Sequence, residues 1–280
     1  MGQNEVRVLD LAEIETLVGW AVEEGWNPGY EDPAAFQAAD PRGFLGCFVD
    51  GRLVAGIAAI AYDDHYGFIG LYICRTDMRG KGHGRRVWDA GMERLGDRVI
   101  GLDGVAPQQA NYQTMGFETL YETVRWSGLS TGPDHELVQS VRHPTTDDLP
   151  AIEALDRLYF PAHRSAFLQT WIGEHRIAYL AESRSGIDGY IVIRRCRDGY
   201  KIGPLFAASE EVASGLLQAA LSVHPGEVMH IDVPRHQESL TRELDALGFA
   251  PGFTTARMYR GEAPDTDLSG VYGVTTLELG

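Results

Sequence analysis

The sequence is poor in cysteine, in positive charge and in long apolar runs. Its three cysteines, Cys47, Cys74 and Cys196, are odd in number and widely spaced, and no CxxC pair occurs in the 280 residues. That pattern excludes a disulfide framework and a cysteine-built zinc site, and fits a reducing compartment. His224, His230 and His236 recur every six residues, but with no HExxH and no Cys partner, so no metal site is expected. Only 24 Lys and Arg stand against 40 Asp and Glu, a net charge of −16. Binding to a nucleic-acid backbone needs a positive footprint, so no nucleic-acid partner is expected. The apolar stretch LVAGIAAIAY at residues 53–62 is too short to span a bilayer. The N-terminus has no basic-then-apolar leader, and MGQNEV carries Val6 where a myristoylation signal wants Ser or Thr. These absences predict a soluble, cytoplasmic protein with no membrane partner.

What is present is enough for two cores. Hydrophobic residues make up 44% of the chain, and its length suits two domains. Asp10 and Glu13 form a capping-box pattern before Leu11, Ile14, Leu17, Val18, Ala21 and Val22, which recur at helical spacing. Asp50-Gly51 between two apolar runs predicts a hairpin, and DDHYG at residues 63–67 a second turn. FIGLYIC, VIGLD and ETLYETVRW read as strands, RRVWDAGMERLG as a helix, and QQANYQTMGF as a short helix ended at Gly116.

The second half repeats this order. VRHPTTDDLPAIEAL echoes VRVLDLAEIETL, AYLAESRSGIDGYIVI echoes GCFVDGRLVAGIAAI, and IDVP, ALGF and TARMYRG answer LDGV, TMGF and TVRWSG. Ordered echoes of this kind predict two copies of one β-rich α/β unit. The polar, Gly-Pro-punctuated SGLSTGPDHELVQS separates them. The expected division is 1–128, a linker at 129–140, and 141–280.

Positive charge gathers in one place. RTDMRGKGHGRRVW holds Arg75, Arg79, Lys81, Arg85 and Arg86 around Gly80, Gly82 and Gly84. It fails as a P-loop, because Gly82 follows Lys81, and as a GxGxxG fingerprint, because Arg85 or Val87 stands in the sixth place. A strand precedes it and a helix follows. Glycines let a backbone approach a ligand, and a helix N-terminus favours an anion. Arg85 and Arg86 in the first helical turn oppose the helix dipole, a conflict that a bound polyphosphate removes.

Arg79-Gly-Lys-Gly82-His-Gly84 matches R/Q-x-x-G-x-G/A, and the chain resembles the GNAT superfamily of acyl-CoA-dependent N-acyltransferases, in a branch with a second GNAT-like C-terminal domain. The likeness is sharp over residues 68–117 and diffuse elsewhere. It implies an α/β fold (α+β in some schemes) of two tandem units, each a mixed, mostly antiparallel sheet flanked by helices. It implies acetyl-CoA or another acyl-CoA as co-substrate, no metal, and a small-molecule or peptide amine as acceptor. The pyrophosphate cradle then comprises Arg79, Gly80, Lys81, Gly82, His83, Gly84 and Arg85, and the pantetheine arm pairs with Ile73, Cys74 and Arg75. Tyr112, four residues before Gly116, takes the place of the general acid for the departing thiolate.

The chain departs from the family pattern at Thr76 and Val105, where proline and asparagine are common, and its FIGLYIC strand lacks the usual acid. Asp103 is the first candidate base, followed by Asp63, Asp64 and His65, with a water chain as an equal route. Trp26 and Tyr30, in the acidic EEGWNPGYED segment, are candidate acceptor-site walls, with Asp63 and His65. The second copy has no R-x-x-G-x-G and carries Leu244 where the first has Tyr112, so it is expected to be non-catalytic. A non-catalytic acyl-CoA sensor is the alternative to an enzyme.

Overall fold

The computed structural model describes residues 4–130, 141–184 and 186–280. Residues 131–140 of the expected linker lie outside the described residues.

The first half runs β1 (Asn4–Val8), α1 (Leu11–Glu23), α2 (Asp32–Ala39), β2 (Phe44–Val49), β3 (Arg52–Ala61), β4 (Tyr66–Cys74), α3 (His83–Leu95), β5 (Val99–Val105), α4 (Ala106–Thr114) and β6 (Glu118–Leu129). The second runs β7 (Val141–Arg142), α5 (Leu149–Tyr159), α6 (Ser165–Trp171), β8 (Ile177–Ser183), β9 (Gly186–Arg195), β10 (Tyr200–Ala207), α7 (Glu210–Leu221), β11 (Val228–Pro234), α8 (Glu238–Ala246), β12 (Ala250–Arg260) and β13 (Val271–Gly273).

Local chemistry explains several boundaries. The Asp10 carboxylate accepts the Glu13 amide at 2.9 Å while Glu13 accepts the Asp10 amide at 3.0 Å, the reciprocal cap that starts α1. Asp50 and Gly51 both take positive φ, 50° and 77°, as a two-residue hairpin between β2 and β3 requires. Gly116 ends the α4 turn at φ 87°.

All the strands join one mixed, mostly antiparallel sheet. Its order is β1-β2-β3-β4-β5-β12-β6-β11-β10-β9-β8-β7, with β13 against β10. The middle of that order departs from two sequential units laid side by side. β12, from the second half, lies between β5 and β6 of the first, and β6 lies between β12 and β11 of the second. Each half thus lends its last long strand to the other. Two buried ion pairs on facing residues span the exchange. Asp103 of β5 faces Arg257 of β12, with Nε–Oδ1 2.9 Å and Nη2–Oδ2 2.8 Å. Arg125 of β6 faces Asp232 of β11, with Nε–Oδ1 2.7 Å and Nη2–Oδ2 2.9 Å. Asp103 and Asp232 hold the same place in LDGV and IDVP, and Arg125 and Arg257 in TVRWSG and TARMYRG. The two pairs are the same contact made twice, once in each direction between the halves.

The apolar core also crosses between them. Phe36 of α2 stacks on Phe44 at 6.5 Å and on Trp171 of α6 at 6.2 Å, inside one cluster that runs from Leu9 to Leu279. Arg125 Nη1 and Lys201 Nζ both donate to the Trp26 carbonyl, at 2.9 and 3.1 Å, and so tie the segment after α1 to the centre of the sheet.

Two gaps position the candidate site. β4 and β5 pair in parallel from Tyr66↔Val99 to Ile69↔Leu102 and then diverge. β10 and β11 pair in parallel from Tyr200↔Met229 to Ile202↔Ile231 and also diverge. The second gap is filled by the chain itself: β13 pairs with Leu205 and Phe206 of β10, and the Val274 amide donates to the Asp232 carbonyl at 3.0 Å. The first gap stays open.

Candidate active site

The open gap between β4 and β5 is a cavity of about 560 Å³, within the range of small-molecule and cofactor sites. β4 bends at its edge. The β3–β4 register slips between Gly56 and Ala58, opposite Leu71, whose φ is 45°. A leucine in that region is strained by about 1 kcal/mol or more, and such strain gathers at functional sites. The slip breaks the ladder beside the cavity, as a bulge does.

Beyond Cys74 the chain makes a 3-10 turn at Thr76–Met78 and then the glycine loop. Gly80 and Gly82 sit at φ 74° and 83°, and α3 starts directly after Gly82. Among the described residues the backbone amides of Gly80, Lys81, Gly82 and His83 make no hydrogen bond, so four donors crowd one helix N-terminus. A Cβ built on Gly80 or Gly82 meets no atom within 4 Å, which leaves that face of the loop free for a ligand. The loop's shape and charge fit a pyrophosphate. Arg79 reaches back along the cavity: its Nε donates to the Cys74 carbonyl at 3.0 Å and Nη2 pairs with Glu24.

Tyr112 lies in the opposite wall, on α4. It is 8% exposed, and its ring stacks on Trp88 at 5.6 Å. Gly104 of β5 admits the ring, because a Cβ there would stand 3.2 Å from Tyr112 Cδ2. The hydroxyl makes no hydrogen bond to another described residue. Burial, with the Tyr72 charge as a lesser cause, pushes its pKa up to about 12, so the phenol is protonated across the neutral range.

Of the residues expected from the sequence, Ile73, Cys74, Arg79, Asp103, Tyr112 and Trp26 line this cavity. Arg75 borders the adjoining hollow and pairs with Asp77 at 3.1 Å. Lys81 Nζ donates to the Asp77 carbonyl at 3.0 Å, and Arg85 pairs with Asp89 one helical turn on, at 2.6 Å. His83 is buried with Nδ1 3.8 Å from Cys47 Sγ. Burial pushes the Cys74 thiol up, which disfavours a thiolate nucleophile there.

Other expected residues fall elsewhere. Asp63 and His65 sit in the β3–β4 turn, at the end of β4 remote from the gap, where the Asp63 carboxylate accepts the His65 and Tyr66 amides at 2.7 Å each. Tyr30 is 59% exposed and does not line the cavity. Asp103 does line it, but both its oxygens are bound by Arg257. Burial pushes its pKa up, against the pull of that arginine.

Four lining residues come from the second half, none of them singled out by the sequence reading: Phe253 and Thr255 of β12, and Leu277 and Glu278 after β13. Their one sequence signal is the lone acid in the apolar tail VYGVTTLELG. Of the spaced histidines, His224 stacks on Tyr200 at 3.9 Å, while His230 and His236 lie 3.1 Å from the Asp198 and Leu268 carbonyls.

Residues 8–117 match the acetyltransferase (GNAT) family, and residues 152–273 match an acetyltransferase (GNAT) domain. The chain is 33% identical over 272 residues to holothin acyltransferase from Pseudoalteromonas sp. (strain SANK 73390), covering 96% of this chain and 92% of that protein. A Pyrococcus horikoshii protein described as an acetyltransferase superposes with a TM-score of 0.82 at 20% identity, over 99% of this chain and 96% of its own. A GCN5-related N-acetyltransferase from Sphaerobacter thermophilus gives 0.61 at 14%, over 96% and 98%. A tandem GNAT protein from the clavulanic acid biosynthesis pathway gives 0.60 at 14%, over 93% and 100%.

Proposed function

The chain belongs to the GNAT acyltransferase family, and on that premise we propose that it transfers an acyl group, acetyl in the first instance, from coenzyme A to the primary amine of a small molecule. What supports the reading most is the contrast between the two gaps. The one between β4 and β5 is open, with an amide-rich loop at one end and Tyr112 in its wall, whereas the one between β10 and β11 is filled by β13. The cavity is partly aromatic and walled by both halves, which suits a compact acceptor better than a protein tail, and the chain is 33% identical to a protein named holothin acyltransferase.

The acyl-CoA supplies an activated thioester carbonyl. The chain's part is to hold and orient. The amides of Gly80, Lys81, Gly82 and His83 bind the pyrophosphate, with Arg79 and Arg85 nearby. Ile73, Cys74 and Arg75 guide the pantetheine arm along the unpaired edge of β4. Tyr112 faces the departing sulfur. A phenol at about 12 is a weaker acid than an ordinary thiol near 8.5. It therefore acts chiefly by a hydrogen bond that strengthens as negative charge builds on sulfur.

Tyr112→Phe tests this. It keeps the ring on Trp88 and removes the hydroxyl. Turnover, read as free CoA released with the best member of an amine panel, is expected to fall about 10²-fold while acetyl-CoA affinity holds. Normal turnover would make Tyr112 a packing residue, and no CoA release by the unmodified protein with any amine would favour a sensor.

Coenzyme binding has its own test. Calorimetry is expected to give one acetyl-CoA per chain, and Gly82→Val to abolish the heat while the fold stays intact. Valine disfavours the left-handed backbone at φ 83° and fills the face left free beside the amides. Two sites per chain, or undiminished affinity in the variant, would displace the cradle from this loop.

A further inference from the structure

The cavity that joins the two halves contains an acid that the first half does not supply. After β13, residues 274–280 leave the second half's filled gap and cross the face of β4. The crossing is close: a Cβ built on Gly70 would stand 1.8 Å from the Glu278 carbonyl oxygen and 3.0 Å from its Cα. The segment is pinned along its length. Arg164 Nη2 donates to Thr275 Oγ1 at 2.8 Å, Arg194 Nη1 to the Thr275 carbonyl at 3.1 Å, and Tyr62 to the Leu279 carbonyl at 2.8 Å. Glu278 is thereby held next to Leu71, where β4 kinks and the gap opens.

Its carboxylate is fixed but not spent. Thr276 Oγ1 hydrogen-bonds to Oε2. The other oxygen, Oε1, has no hydrogen-bond partner among the described residues, yet it is not one of the sealed, unpartnered polar atoms of the interior. The residue is 3% exposed and lines the cavity, so its opening is toward the cavity. Of the other acids of the same wall, Asp103 is held by Arg257 through both oxygens, and Glu24 pairs through one oxygen with the Arg79 guanidinium. Lys201 and Arg125 lie near enough to feel the charge of Glu278.

We propose that Glu278 is the general base that takes the proton from the attacking amine, so that the second half completes the active site of the first. The proposal rests on the acyl-transfer reading above. The amine nitrogen bonds to the acyl carbon and its N–H proton passes to Glu278 Oε1. The carbon–sulfur bond breaks with its electron pair on sulfur, which faces Tyr112 and leaves as the thiol with a proton from solvent. Glu278 returns its proton to solvent, and no oxidant, reductant or metal is called for.

The experiment uses the full chain with acetyl-CoA and a panel of aliphatic and heteroaromatic primary amines. Glu278→Gln is expected to lower kcat about 10²-fold or more with acetyl-CoA affinity unchanged by calorimetry. Glu278→Ala, which leaves room at Oε1, is expected to regain at least tenfold of its lost rate in formate, a small carboxylate that a residue of purely structural role would not answer to. Wild-type turnover in Glu278→Gln, or a folded Glu278→Ala that formate does not rescue, would overturn the proposal. In the first case the Tyr112→Phe defect would leave acyl transfer standing with its base elsewhere. An unmodified protein that releases no CoA with any amine would instead sink the transfer reading itself.

Discussion

Residues 1–130 expressed alone are expected to give no soluble, folded half. The reason is the exchange of β6 and β12. In the intact sheet β5 takes six register pairs from β12, and β6 takes eight from β12 and seven from β11. Remove the second half and a slot one strand wide, about 4.8 Å from each neighbour, opens between β5 and β6. Those two strands run parallel and are joined through the nine-residue helix α4, so direct pairing would have to drag the α4 crossover and the Tyr112 wall with it. Two buried charges would also lose their partners, Asp103 its Arg257 and Arg125 its Asp232. The lost ladders and the apolar surface they covered must be set against a total stability of only about 5–15 kcal/mol. Exposed strand edges then promote aggregation. Co-expression of 1–130 with 141–280 is expected to restore a soluble complex. A monomeric 1–130 with native circular dichroism and acetyl-CoA affinity would show that the shared strands are dispensable.

The order of elements was legible because it rests on local chemistry. The Asp10–Glu13 cap, the Asp50-Gly51 turn and the Gly116 stop each declare themselves within a few residues, and the glycine loop carries its function in its own backbone. The doubling of the unit was legible too, from LDGV and IDVP, TVRWSG and TARMYRG. What the repeat could not disclose is that the matching residues meet each other's partners. Sequence similarity relates Asp103 to Asp232 and Arg125 to Arg257, but the contacts run Asp103–Arg257 and Arg125–Asp232, across separations of 154 and 107 residues. Pairing at that range is set by the whole sheet rather than by any window of the chain. Glu278 was hidden for the same reason. Its place beside Gly70 depends on the path of residues 271–280 through the second half's gap, and one acid in an apolar tail says nothing of that path. Asp63 and His65 are near the glycine loop in the sequence, yet nine residues of β4 carry the chain from their turn to the gap.

Replacing Arg257 with leucine is expected to be among the most destabilising single changes in the molecule, by about 3–5 kcal/mol. Leucine fills part of the volume but leaves the Asp103 carboxylate, with no exposed side-chain surface, without its two charged hydrogen bonds. The loss should depend on pH in a definite direction. Burial already raises the Asp103 pKa, and Arg257 is the main influence holding it down. Without that arginine it rises further. A carboxyl with a raised folded pKa contributes stability below its unfolded value, about 3.9, and loses it as pH climbs through the folded value. Arg257→Leu should therefore be weakest at neutral and alkaline pH and recover part of the deficit on acidification toward 3.9, where Asp103 can fold as the neutral acid. Adding Asp103→Asn should return most of the stability at neutral pH, since the amide needs no counter-charge. The mirror change, Arg125→Leu, should cost less, because Asp232 keeps Lys201 as a second cation; the two together hold its pKa at about 2. Chemical denaturation of the three variants at pH 5 and pH 8 measures all of this. Equal losses for the two arginine variants, a deficit in Arg257→Leu that does not change with pH, or no recovery in the double variant would mean that the halves are held by their shared apolar core, with the charge pairs adding little.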